Sequence, residues 1–513
     1  MRPPGGEAGP AAFPLPIGFL RAAGCCASTR CGGGLADNGA GYIGRSGKEK
    51  GDFDTVHVAS VAKPPTISED DGNPSDPVNR VIALPDLYHV RQIAPQPTVA
   101  DVAGEVRKQW LGSRIAKRIK PGDRIAVGCG SRGIRHIGLI VKTTIESLKQ
   151  LGAKPFVVAA MGSHGGATPE GQRELLASYH IDPEHLGVPV LTDMDSQQIG
   201  TNSWGEPVWW DKNAVAADGV VTVSRIKPHT DYRGKYESGI VKMTVIGLGK
   251  REGASQHHRW GWKGLQQMMV ESAKVILDKT RFLGGLAILE NANEETAEVR
   301  AVDRDELLDV EPGLLAKSRD LMGKIPFDEL DVLVVGEIGK NYSGAGIDPN
   351  VVGRLLIEAA PELETNKPKI TRMCCLDLSP ESHGNATGVG IADLTTDRLL
   401  AAIDPVPLRM NNLTARFLWR SKLPLGFPTD RECIEQSIDT CWQPIAERLK
   451  FAIIPNTLEV AELWVSKALA DLAGADSKLA VSRDPRPIAF NAAGNLEQEK
   501  LFPQSLRARR GRE

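Results

Sequence analysis

Short apolar runs alternating with amphipathic stretches set the pattern of this chain from about residue 78 onward. Arg124-Ile-Ala-Val-Gly-Cys-Gly130 has strand length and ends on glycine, and residues 136–151 carry a helical apolar face closed by Gly152. Pro155-Phe-Val-Val-Ala-Ala-Met161 repeats the strand pattern, after which Thr168-Pro169 supplies an N-cap and a first-turn proline for a helix over 170–180. Runs at 188–192 and 219–226 continue the series. A helix over 263–280 leads into a strand at 282–289, and the acidic stretch 291–305 reads as a surface connection between domains. A second series begins at 331–338 and continues through 369–378 and 451–454. Alternating strands and helices predict an α/β fold: two α/β domains with mainly parallel sheets, over 78–295 and 296–480, and an interdomain active-site cleft. Residues 1–77, rich in Gly, Pro, Ser and Asp, and the polar, Pro-containing 481–513 are expected to be disordered.

Length and composition change this picture little. At 513 residues the chain exceeds one ordinary core, and 41% hydrophobic with 25% charged residues is a globular balance. A net charge of −2 gives no electrostatic case for nucleic acid or a membrane surface, and the basic 507–512 end reads as a short solvated tail. The apolar runs fall short of the ~20 residues of a membrane span. Pro14, Pro16 and Arg21 interrupt the one candidate signal-peptide core, at 13–27. Eight cysteines without a Cys-x-x-Cys pair point away from zinc and redox dithiols and toward a cytoplasmic location.

Four residues of the middle third carry the candidate chemistry. His164, in Met161-Gly-Ser-His-Gly-Gly-Ala-Thr-Pro-Glu170, and His229, in Arg225-Ile-Lys-Pro-His-Thr230, each follow an expected strand, where a loop presents a ring to a cleft. Either alone is more readily a loop histidine bonded to a carbonyl. As a pair they suit proton transfer on opposite faces of a substrate, as a racemase or epimerase needs. Lys242 sits among Ile240, Val241, Met243, Val245 and Ile246, which as a strand would place its amine to one side. Desolvation there would make it nucleophilic, and the plainer reading is a lysine extending from an edge strand. His257-His258 offers a metal ligand without an accompanying Asp or Glu, so an all-protein metal site is not formed by this motif. Gly128–Gly133 and Gly336–Gly346 are glycine-rich turns able to take anions, with Ser131 and Arg132 in the first, and neither is a dinucleotide or Walker fingerprint.

The order of these residues resembles the nickel-dependent lactate racemase family, over about residues 78–470 and most densely from Arg124 to Trp260. The resemblance implies that Arg132 binds the substrate carboxylate and that His164 and His229 are the two catalytic bases. Ser238-Gly-Ile-Val-Lys242 matches the family's Ser-Gly-x-x-Lys motif, which makes Lys242 the covalent link to a nickel-pincer nucleotide, with Ser131, Ser238 and Gly239 beside it. His258 falls at the nickel ligand, with His257 as the alternative. The implied chemistry is reversible hydride transfer from a 2-hydroxy acid, after loading by cofactor-synthesis enzymes. Three departures bear on the substrate. Cys129 stands where the family has aspartate, and the 229–242 loop carries extra charges at Asp231, Arg233, Lys235 and Glu237. No Gln-x-x-Lys clamp follows Asp348-Pro-Asn350, where Gly353 and Arg354 stand instead. These changes point to a substrate larger or more polar than lactate. The alternatives are a metal-assisted hydrolase or lyase using His164 and His229, and a non-catalytic small-anion binder on the same fold.

Overall fold

The computed structural model describes residues 82–130 and 133–510. The expected disorder of 1–77 therefore lies outside the described residues. The first sheet runs Val190–Leu191, Lys154–Ala159, Arg124–Cys129, Gly219–Arg225, Phe282–Glu290 and Thr296–Asp303 in spatial order, parallel except for the last pair. Arg124–Cys129 is buried from Ile125 on because helices cover both faces of a parallel sheet. Helix Ile137–Gln150 packs Ile140, Val141, Ile145 and Leu148 on one face, and Ile240, Leu265, Met269 and Ile276 build the layer on the other. The fold is thus α/β with mainly parallel sheets.

The second sheet is ordered Leu425–Phe427, Leu394–Thr396, Lys369–Cys375, Glu329–Val335, Phe451–Ile454, Glu462–Val465, Tyr88–Gln92 and Leu479–Val481. Its first five strands are parallel and the remaining pairings antiparallel. Three placements differ from the sequence reading. The acidic 291–305 stretch is not a surface connection: Thr296–Asp303 pairs antiparallel with Phe282–Glu290, with Val299 and Val302 turned inward. Strand alternation was masked there by the charges on its outward face. Conversely, Tyr88–Gln92, expected in the first domain, is a strand of the second sheet. The described residues form one compact unit, and Leu355, Ile357 and Phe417 share an apolar layer with Ile226, Tyr232 and Leu265.

The third difference is the end of the chain. Residues 481–510 are not a disordered tail: Leu501 and Phe502 are buried beside Phe451 and Trp464, and Trp464 Nε1 donates to Leu501 O at 2.9 Å. Helix Leu506–Arg510 then delivers Arg507 and Arg510 to Glu337, which is 2% exposed, at 3.1 and 2.7 Å. The basic end that reads as solvated in sequence serves a buried carboxylate, which also accepts from the Tyr342 hydroxyl. Removing both guanidinium groups leaves that carboxylate unpaired. Arg507→Ala/Arg510→Ala is expected to lose roughly 3 kcal/mol in chemical denaturation, and Glu337→Gln in that background to recover part of it.

Candidate functional site

Three neighbouring parallel strands position the site. Lys154–Ala159, Arg124–Cys129 and Gly219–Arg225 lie side by side, so the loops at their carboxyl ends open onto one place. The first carries His164. Gly162 and Gly165 have φ of +58° and +65°, and a Cβ on Gly165 would stand 2.7 Å from the Gly171 carbonyl carbon, so the turn that presents the histidine needs glycine. Buried Gln172 donates to Gly162 O and His164 O, both at 3.1 Å, and fixes the turn from behind. The His164 ring side is exposed. The second loop begins at Gly130; Ser131 and Arg132 lie outside the described residues.

These loops surround a cavity of about 160 Å³. Its polar wall includes His164, Arg225, Lys227, Ser238, Lys242 and His258; Ile134, Met161, Val223, Met243 and Ile246 form the apolar side, and Gly130 and Gly239 also line it. His164, Ser238, Gly239, Lys242 and His258 are thus brought together around one cavity. Arg225 and Lys227 were missed as cavity residues, although their i, i+2 spacing off a strand end places them on one side. Glu290 neutralises Arg225.

His229 is not a lining residue of this cavity. It is 5% exposed, and its Nε2 contacts Lys242 Nζ, which does line it. The Asp231 amide donates to His229 Nδ1 at 3.0 Å, which puts the proton of a neutral ring on Nε2. Glu237, fully buried, takes the amides of His229 and Gly234 at 2.6 and 2.9 Å and pairs with Arg319 at 2.5 Å. Asp231 pairs with buried Arg420 at 2.6 Å. Burial pushes the Asp231 carboxyl up, but Arg420, His229, Thr230 and Lys242 outweigh it and hold it below the usual carboxylate range.

Lys242 lies on a helix and not on the expected strand: Ile240–Lys242 is a helical turn that widens into a π turn at Met243–Gly247. Its β-branched run favours strand locally, and tertiary contacts override that preference. The decisive contact is Glu311, 1% exposed, which accepts the Val241 amide at 3.0 Å at the helix N-terminus. Gly239 permits this approach, because a Cβ there would stand 2.5 Å from Glu311 Oε1. Burial raises the Glu311 carboxyl to about 7, against the opposing pull of the Val241 and Ile240 amides.

His257 and His258 share helix Lys250–Arg259 and have different surroundings. His257 Nδ1 donates to Gly253 O at 2.7 Å and Nε2 meets Ser272 Oγ at 3.1 Å, so both ring nitrogens are used in the interior. His258 lines the cavity, and its Nδ1 is buried with no hydrogen-bond partner. Burial, then the nearby Lys242 charge, lowers its pKa to about 4, leaving a neutral imidazole with a lone pair. An orphaned ring nitrogen in a cavity wall fits a metal-bearing ligand. Among the described residues no group of three His, Cys, Asp or Glu is placed to hold an ion alone, so any metal on His258 would need further ligands from outside such a group.

The two arginines expected to extend the substrate pocket do other work. Arg354 donates to Ile391 O and Ile370 O at 2.9 and 2.8 Å and pairs with Asp393, so it ties loops within the second sheet. Arg233 donates through Nη1 to His229 O at 2.6 Å and faces a different cavity. Glu311 and Arg420 were missed altogether. Only the Glu237 charge was noticed, and nothing in sequence tells a buried carboxylate that caps a loop from a solvated one.

Residues 87–267 match the family of lactate racemase N-terminal domains. No curated protein matches the sequence. Among solved structures, the lactate racemase apoprotein from Thermoanaerobacterium thermosaccharolyticum is 12% identical, with 64% of this chain and 81% of that chain covered at a TM-score of 0.42. A Thermotoga maritima protein is also 12% identical, with 53% and 70% covered at a TM-score of 0.38.

The Glu311 cap generates a pH signature. Its carboxyl is raised from 4.5 to about 7, so its stabilising contribution is complete below pH 4.5 and is lost as pH rises through 7. Glu311→Gln keeps an acceptor for the helix amides and is expected to flatten the stability profile across that window in denaturant titrations. Glu311→Ala, which removes the cap, is expected to cost roughly 2–3 kcal/mol at pH 5. A wild-type slope that persists in Glu311→Gln contradicts the assignment.

Proposed function

Because residues 87–267 match the family of lactate racemase N-terminal domains, we propose that the chain is a racemase or epimerase of a 2-hydroxy acid, working with a nickel-pincer nucleotide in the cavity of Lys242 and His258. The observation that carries this reading is His258, whose unpaired buried Nδ1 stands in a wall that also presents the Lys242 amine. When bound, the nucleotide supplies a hydride acceptor and a nickel ion. His258 would hold the metal, and Lys242 Nζ would form the covalent link. Lys227, in the same wall, adds positive charge suited to an anionic ligand.

His164, exposed on the cavity, takes or returns the hydroxyl proton of one enantiomer. His229 serves the other. A covalent link at Lys242 Nζ would take that amine out of its contact with His229 Nε2 and leave the ring nitrogen to face substrate. Asp231 and Glu237 hold the ring and its backbone through this change. Arg132 is the candidate carboxylate grip, since a guanidinium binds a carboxylate in a two-point fork. The substrate is larger or more polar than lactate, given the missing Gln-x-x-Lys clamp. No helix among the described residues is long and apolar enough to cross a membrane, and the described cysteines are buried free thiols, as suits a cytoplasmic enzyme loaded by cofactor-synthesis enzymes.

Protein produced together with those synthesis enzymes is expected to carry one covalent adduct, on the peptide containing Lys242, by intact mass and peptide mapping. An adduct on another lysine rejects the assignment. His258→Ala should lose bound nickel by elemental analysis, whereas His257→Gln should retain it; equal retention in both removes His258 as ligand. In deuterium oxide the product should keep its original hydrogen at Cα, and extensive solvent deuterium there would show a carbanion route instead.

A further inference from the structure

A second cavity, of about 940 Å³, lies against the His229 loop and shares no lining residue with the first. Pro228, Arg233 and Gly234 of that loop form one wall, and Arg319, Asn350 and Lys478 stand on others. The volume is that of a small-molecule site. Its cations outnumber its acids, and most are already paired: Arg319 with Glu237, Lys367 with Asp328 and Lys324 with Asp320. Two are not. Arg233 and Lys478 have no carboxylate within ion-pair distance among the described residues.

Arg233 is the informative one. It is partly buried, and burial lowers its pKa, opposed by more distant Glu237 and Asp348. Its Nη1 donates to His229 O and Tyr232 O at 2.6 and 3.2 Å, and its Nε and Nη2 make no hydrogen bond among the described residues. Desolvating a guanidinium without a facing anion is unfavourable, and a partner for the free edge would offset it. Apolar groups such as Phe327 and Met322 share the lining, which suits an organic body carrying the charge.

We infer that this second cavity binds a small organic polyanion, a phosphate ester or a di- or tricarboxylate, with Arg233 as the forked contact for one acidic group and Lys478 as a further positive charge. Because Arg233 also holds the His229 carbonyl, and Asn350 Nδ2 reaches that oxygen at 3.3 Å, an occupant would bear directly on the backbone of a candidate catalytic histidine. The site is separate from the nucleotide cavity, and a binding measurement needs no loaded cofactor. Its failure is therefore distinguishable from failure of the racemase reading.

Calorimetric titration of the full chain at low ionic strength, with inorganic phosphate, a nucleoside monophosphate and tricarballylate as probes, tests this. At least one organic probe should bind saturably at one site per chain, with affinity falling as salt is added. Arg233→Gln and Lys478→Glu should each weaken it by about tenfold or more. Lys478 is exposed, so its substitution tests the proposal even where Arg233→Gln disturbs the loop. Tight binding of a phosphate ester alone, or of the tricarboxylate alone, identifies which source of negative charge the cavity takes. Absence of saturable binding by every probe overturns the proposal. So does binding that survives Lys478→Glu and is lost in His258→Ala, which would place the anion in the first cavity.

Discussion

The site depends on one buried carboxylate, Glu237. It is fully enclosed, and it satisfies two amides of the loop that carries His229 while pairing with Arg319. A buried charge held this way fixes the backbone around it, because every alternative leaves an unpaired ion or unpaired amides. The loop then closes on itself through the Lys227–Ser238 bridge, which sets Ser238 and Gly239 at the start of the Lys242 helix. Histidine and lysine are brought into contact by the same constraint.

Two further carboxylates extend it outward. Asp231 ties the loop to Arg420, a buried residue from the second half of the chain. Glu311 ties the Lys242 helix to the helix Leu307–Leu321. The site is therefore held by both halves, although the whole of its cavity wall comes from residues 130–258. Asymmetry follows for the two histidines: His164 stands exposed on a glycine turn, and His229 is enclosed and occupied by Lys242.

Much of this was legible in the sequence because it is carried by local signals. Strand–glycine–histidine order located the His164 loop, and Ser-Gly-x-x-Lys located Lys242. The helix N-cap at Thr168 is where hydroxyl and proline predict it, with Thr168 Oγ1 accepting the Gly171 amide at 3.1 Å. What failed was nonlocal. A β-branched run around Lys242 reads as strand until Glu311 is known to cap it. The acidic 296–303 segment reads as surface until its inward valines are seen to pair with a neighbouring strand. Arg507 and Arg510 read as a solvated tail, since Glu337 is some 170 residues away in sequence.

The central claim is that His164 and His229 act as a pair on one stereocentre. Chiral chromatography of loaded protein, supplied separately with each enantiomer of a panel of polar 2-hydroxy acids, tests it most directly. At least one acid should be converted to its mirror image or epimer from both sides. His164→Ala and His229→Ala should each slow both directions by about 100-fold or more. For a true racemase the two directions must fall equally, because the equilibrium constant is one. Interconversion that persists at wild-type rate in either variant, or a product other than the epimer, contradicts the account.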